Sequence, residues 1–426
     1  MKTNILSICL CLLTSWSSGI HAETPPAPDW NQLQIYDWTM SSKEFCNLID
    51  RIYNPSKVVY AYLNVTPEYA EFFEDKEKTT LLLTLRFIQP GERPQPAKRT
   101  FHTVQELRKF HNPPELPLKG VRIALDPGHI GGKWASLEER SVIWNNNPVI
   151  REGDKNIQVA KLIRTRLKAA GAQVYLTHDK PDPLTDTRPK DFMDEARELV
   201  YQKKGITEDS PKAARDACRK LITWYAELFF YRRAEIAQRA ENLRNEFPSD
   251  INISNHFNAT ERSGSGEIVK DNRHVFLLNG CYGPDEMDNP VTRFYMFSKL
   301  LEQSLNIEMA AGDAITAHLL KVASLPPAKY GREKYQCRVN QNPYLYARNL
   351  AASRQYPGPT LILEPFYMNN AWTAARLSAG DYDGVRPIAG GMYRSLLREY
   401  ADAVADALIE VYGKWTVDKK SPKSKD

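Results

Sequence analysis

The sequence predicts an α/β fold, a mostly parallel sheet flanked by helices, preceded by a small α+β accessory module. Three observations predict it. Short apolar runs at 121–125, 174–177, 250–254, 275–278 and 360–363 alternate with stretches of helical periodicity. The first two runs are joined by one helical segment, the pattern of a parallel pair with a crossover helix. The runs at 121–125, 250–254 and 360–363 lead into His129, His256 and Glu364, at the carboxyl edge where open α/β sheets keep their sites.

The elements follow in chain order. Lys2, the apolar run 5–13 and the small and polar residues ending at His21-Ala22 read as a signal peptide over residues 1–22, cleaved near Ala22. Its core is shorter than the roughly 20 apolar residues of a membrane span. Ile8 and Leu10, ahead of Cys9 and Cys11, are bulkier than the small residue of a lipoprotein signal. No later stretch is apolar for long enough to cross a bilayer, so the mature chain is expected to be exported, periplasmic or secreted, without a transmembrane segment.

Residues 23–118 read as an α+β module of unknown role. A helix is predicted over 41–52 with Ser41 or Ser42 as cap, and strands over 58–65 and 79–88. Proline-rich loops at 90–96 and 113–117 close it. The catalytic domain is predicted over 119–413. After the opening strand, Asp154 is placed to cap a helix carrying Ile157, Ala160, Ile163 and Leu167, and Gly171 to end it. A charged helical insertion spans about 180–231. A helix then runs from Arg233 to Phe247, and further helices are expected over 291–305 and 314–322. A closing amphipathic helix is read over 386–412, and a disordered Lys-rich tail over 414–426.

Composition fits an enzyme-sized globular protein: 426 residues, 42% hydrophobic and 26% charged. The net charge of +5 comes from basic residues scattered among acids, without the aromatic and basic interleaving of a nucleic-acid surface, so no nucleic-acid partner is predicted. Cys46, Cys218, Cys281 and Cys337 remain after the leader, and none forms a metal-type doublet. An exported protein could pair them, with connectivity that the sequence leaves open.

The chemistry centres on Asp126-Pro-Gly-His129. Pro127 and Gly128 break the strand, and Gly131 and Gly132 keep the backbone after His129 bare. Glu152 precedes the crossover helix at the same edge, His256 follows the strand 250–254, and Glu364 ends the last strand. Two histidines and two glutamates at one sheet edge form the residue set of a hydrolytic zinc site. Zinc held by His, Glu and His keeps a fourth position for water of lowered pKa, and a remaining carboxylate can move the proton. No compact H-E-x-x-H motif is present.

Leu-Asp-Pro-Gly-His129, Glu-Gly-Asp-Lys-Asn-Ile157, Ser-Asn-His-Phe-Asn-Ala259 and Leu-Glu-Pro-Phe-Tyr-Met-Asn-Asn370 resemble, in order, the four motifs of the zinc-dependent N-acetylmuramoyl-L-alanine amidases, the group of cell-division and spore-cortex enzymes. The resemblance covers about residues 120–412. It implies a mixed sheet flanked by helices, one Zn2+ per chain held by His129, Glu152 and His256, Glu364 as the catalytic carboxylate, and peptidoglycan as substrate. Asp126 and Asn258 are candidates to orient the imidazoles. The chain departs from the pattern at Gly153, where the family has lysine, at Phe366, where it has glycine, and at His178, where arginine is common. Relatives with inserted helices use them to block the site until an activator binds, so the resemblance admits a protein activator; a plain surface helix is the alternative. A non-catalytic wall-binding scaffold, a carboxypeptidase and a deacetylase are the competing readings.

Overall fold

The computed structural model describes residues 28–260, 267–330 and 335–418. The leader and the end of the tail lie outside these residues. Among the described residues no helix is long and apolar enough to cross a membrane.

Residues near the amino end form a three-stranded antiparallel sheet in the order β1 (Leu63–Val65), β2 (Tyr69–Phe73), β3 (Leu81–Arg86). Strand β2 went unread because it is short and Glu71 interrupts its apolar pattern; Asn64 on β1 donates to that carboxylate at 3.2 Å. The predicted helix over 41–52 is an α-helix Ser42–Leu48, capped by Ser41, followed by a π-helical turn Ile49–Tyr53. The strand expected over 58–65 is a 3-10 turn Val58–Tyr62 before β1, entered through Lys57 at φ +62°. Phe45 and Phe72 of this region meet Phe297, with centroids 6.0 and 4.6 Å away, on the helix Pro290–Glu302. Residues 30–118 therefore share one buried apolar cluster with the rest of the chain.

The main sheet is mixed and mostly parallel. Its strands are β4 (Arg122–Pro127), β7 (Gln173–Leu176), β8 (Ile251–Asn255), β9 (His274–Leu278), β10 (Cys337–Arg338), β11 (Leu345–Ala347) and β12 (Thr360–Pro365), in the order β10-β11-β9-β12-β8-β4-β7. Only β10 against β11 and β9 against β12 are antiparallel. A small hairpin of β5 (Ser141–Val142) and β6 (Ile150–Arg151) leads into the helix Glu152–Ala169. Every residue of β8 and β9 is buried, as expected of strands covered on both faces. Glu152–Ala169, Leu305–Val322 and Leu396–Thr416 pack together, the last through Ala401, Val404, Ala405 and Leu408, all fully buried. Glu235–Glu246 sets Ala240 and Leu243 against Ala124 and Tyr356.

Several boundaries differ from expectation: the helices expected over 291–305 and 314–322 run Pro290–Glu302 and Leu305–Val322, and residues 414–416, expected in the disordered tail, end the closing helix with Thr416 buried. Asp154 is no cap: the helix starts two residues earlier at Glu152, and the Asp154 carboxylate takes the Gly132 N–H at 2.7 Å. The closing helix starts at Leu396, because residues 386–393 form a hairpin of β13 (Arg386–Ile388) and β14 (Gly391–Tyr393) turning through Ala389 and Gly390 at φ +49° and +82°. The insertion is helical as predicted, with Met193–Lys204 and Arg219–Leu228 closing a small core of Leu199, Val200, Ile222 and Phe229.

Candidate metal centre

The register of the three central parallel strands explains how residues far apart in sequence meet. Pro127 pairs with Asn255, and Leu363 pairs with Asn255 from the other side. His256 and Glu364 therefore stand one residue past a common level, and His129 two residues past it. The β5–β6 hairpin delivers Glu152 to the same edge.

His129 Nε2 lies 3.3 Å from Glu152 Oε2, and His256 Nδ1 lies 3.2 Å from Glu152 Oε1. One donor atom from each of the three residues falls within 4.8 Å of the others. Ligand atoms about 2.1 Å from a single tetrahedral zinc would stand about 3.4 Å apart, so the set fits that ion. The two imidazoles differ in protonation: burial disfavours a charge on both, but at His256 the Glu364 and Glu152 carboxylates outweigh it and raise the pKa. Burial lowers the His129 pKa well below its usual value, with Glu152 opposing it. Burial pushes the Glu152 carboxyl up, but His129, His256 and Arg140 outweigh it and bring it down to about 2. Glu364 is outside the trio; burial raises its pKa, the His256 charge opposes this, and Glu152 adds to it.

Glycines make the close approach possible. A Cβ on Gly128 would stand 2.1–2.3 Å from three atoms of the His256 ring, so that imidazole rests on a bare backbone. At Gly153 a Cβ would come within 2.5 Å of Gly131 N, which accounts for the missing lysine: the His129 turn lies too close to the helix start for a side chain. Phe366 holds a left-handed φ of +59°, the conformation for which glycine is favoured, and its fully buried ring packs against Phe257, His274, Trp372 and Tyr400. His178 Nε2 reaches Pro127 O at 2.8 Å and braces the turn.

Sequence reading missed the strongest supports. Glu138 accepts from the Ile130 and Gly131 N–H groups and stands 3.3 Å from His129 Nδ1, which turns His129 Nε2 toward Glu152. Arg239, on the helix after the insertion, is 3% exposed and donates to Asp126 Oδ1 (3.0 Å), Pro127 O (2.9 Å), His129 O (3.0 Å) and Glu235 Oε1 (3.0 Å). Glu235 in turn accepts the Leu184 and Thr185 N–H groups. Arg140 brings its Nε to 3.3 Å from His129 Nε2 and 3.5 Å from Glu152 Oε2, a cation facing the donor atoms. A buried Glu235-Arg239 pair, four apart on a helix of otherwise small buried residues, is the signal that marks this support in the sequence.

Asp126 does not touch the imidazoles directly. It accepts from Thr177 Oγ1, Ser254 Oγ, Tyr356 OH and Arg239, and it reaches His256 through Ser254, whose Oγ is 3.3 Å from His256 Nε2. Asn258 orients no imidazole: its side chain accepts the Ala259 N–H, and its backbone bridges to Tyr367.

A profile of the N-acetylmuramoyl-L-alanine amidase family matches residues 123–396, and the chain belongs to that family. It is an enzyme of the amidase class. No curated protein matches the chain. Solved structures similar to it include the amidase Ami1 of Mycobacterium abscessus, at 15% identity over 69% of this chain and 99% of that one, with a TM-score of 0.36. The catalytic domain of CwlV from Bacillus (Paenibacillus) polymyxa var. colistinus matches at 14% identity over 68% and 97%, TM-score 0.36. The CwlD amidase of Clostridioides difficile, solved with the GerS lipoprotein, matches at 16% identity over 70% and 98%, TM-score 0.35. At these scores the family assignment rests on the sequence profile.

Proposed function

We propose that the chain hydrolyses the amide joining the lactyl group of N-acetylmuramic acid to L-alanine in peptidoglycan. In this reading one Zn2+ per chain is held by His129, Glu152 and His256, and Glu364 is the catalytic carboxylate. The observation that carries it is the convergence of three donor atoms within 4.8 Å, with a fourth carboxylate close enough to sense the charges of His256 and Glu152. When bound, the zinc supplies a Lewis acid and a water of lowered pKa.

The chain's own residues do the rest. Glu364 takes a proton from the attacking water at its carboxylate and returns it to the amine nitrogen of the departing L-alanine. Burial raises its proton affinity toward the range a general base needs. Glu138 holds His129 in the tautomer that turns Nε2 toward Glu152, and Asp126 steadies His256 through Ser254. The leader over residues 1–22 and a cell-wall substrate together support export before action.

Digestion of purified peptidoglycan, read by mass spectrometry, tests the reaction. Intact stem peptides and uncut glycan strands are expected, with loss of activity on chelation. Release of single amino acids or of acetate would sink the assignment. Glu364→Ala is expected to bind one zinc per chain by atomic absorption yet release no stem peptide. Full activity in that variant would remove Glu364 from its role.

A further inference from the structure

We infer that Cys281 and Cys337 are a disulfide-forming pair, a modification site that fastens the turn after β9 to strand β10. This goes beyond the hydrolysis proposed above and does not depend on it. Both cysteines converge on one carbonyl. The Cys281 N–H donates to Ile52 O at 2.6 Å, while Cys337 Sγ lies 3.8 Å from that oxygen and 3.4 Å from Arg51 O. The sheet brings them there, since Cys337 pairs with Ala347, and Ala347 with Leu278, three residues before Cys281.

Two further observations point the same way. The two thiols are close enough to perturb each other, Cys337 raising the Cys281 thiol and Cys281 lowering that of Cys337. Cys281 also holds a left-handed φ of +49°, a conformation that disfavours most side-chain-bearing residues, with its side chain buried at 7% exposure. The remaining cysteines lie elsewhere: Cys46 neighbours Tyr60, and Cys218 belongs to the core of the insertion.

The partly exposed Cys337 is the entry point. Its thiolate attacks one sulfur of a protein or low-molecular-weight disulfide, whose S–S bond breaks and releases one thiol. The Cys281 sulfur then attacks the Cys337 sulfur of the mixed disulfide, forming the new S–S bond and expelling the second thiol. The cysteine pair loses two electrons and two protons, and the oxidant is reduced to two thiols.

The test oxidises the purified full-length chain in a glutathione redox buffer, alkylates it and maps its peptides without reductant. A linked Cys281–Cys337 peptide with Cys46 and Cys218 alkylated is expected. The oxidised chain should melt about 4 °C above the reduced one, because a long loop is closed. That difference should vanish in Cys281→Ser and Cys337→Ser and persist in Cys46→Ser. Alkylation of both Cys281 and Cys337 after oxidation, or a link from either to Cys46 or Cys218, overturns the pairing. Should a serine variant fail to fold, the unmodified chain's peptide map decides alone.

Discussion

Replacing Arg239 by methionine should both destabilise the protein and loosen the metal centre. The guanidinium makes four hydrogen bonds in a buried setting, two to carboxylates and two to carbonyls of the His129 turn. Bonds to carboxylates contribute about 1.5–3 kcal/mol each and bonds to carbonyls about 1 kcal/mol, without simple additivity. Removing one partner of a buried ion pair costs about 3–5 kcal/mol, since Asp126 would be left with three hydroxyl donors and no cation. At about 1 °C per kcal/mol for a chain of this size, calorimetry should show a melting point lower by about 3–5 °C. Zinc affinity, measured by competition with a chromophoric chelator, should fall about 10–100-fold because the His129 backbone loses its brace. Adding Asp126→Asn should recover part of the stability, a coupling that a double-mutant cycle reads directly. A melting point within about 1 °C of the parent together with unchanged zinc affinity would refute this account of the turn.

Other outcomes follow from the same geometry. Gly153→Lys, which installs the family's common residue, should destabilise by about 1–3 kcal/mol in urea unfolding, because its Cβ would stand 2.5 Å from Gly131 N; a stabilised variant would show that the turn can retreat. Glu308 is fully buried, and burial raises its pKa to about 7 against the opposing influence of Lys299 and the Thr360 N–H. A carboxyl with a folded pKa above its unfolded 4.5 contributes stability that is present below pH 4.5 and lost as pH rises through about 7. Glu308→Gln should therefore gain on the parent protein between pH 5 and pH 8, by about 3 kcal/mol at most, and parallel urea curves at the two pH values would count against the assignment.

The parts of the centre that could be read in the sequence are those with a local signature. His129 and His256 each follow an apolar run closed by a polar residue, Glu364 follows one directly, and sheet physics places such residues on one edge. The register that brings them abreast, Pro127 beside Asn255 beside Leu363, could not be read, because strand order depends on contacts spread over the chain. Arg239 and Glu138 stayed hidden for a different reason. Their role is to satisfy backbone groups of a turn that has no conformation until the rest of the sheet has formed. The boundary errors have ordinary causes. Asp154 looks like a cap because acids favour first turns, and the hairpin at 386–393 was absorbed into a helix although Pro387 and the Ala389-Gly390 turn break it.

The dispersal of the site has a consequence for any incomplete chain. His129, Glu152, Arg239, His256 and Glu364 come from five separate segments, and strand β12, which brings Glu364, is the last main-sheet strand along the chain. A nascent chain, an extended one, or one cut between these segments has all the residues of a hydrolase and no active site. In the proposed reading, hydrolytic capacity therefore requires the whole sheet, and no single segment carries it.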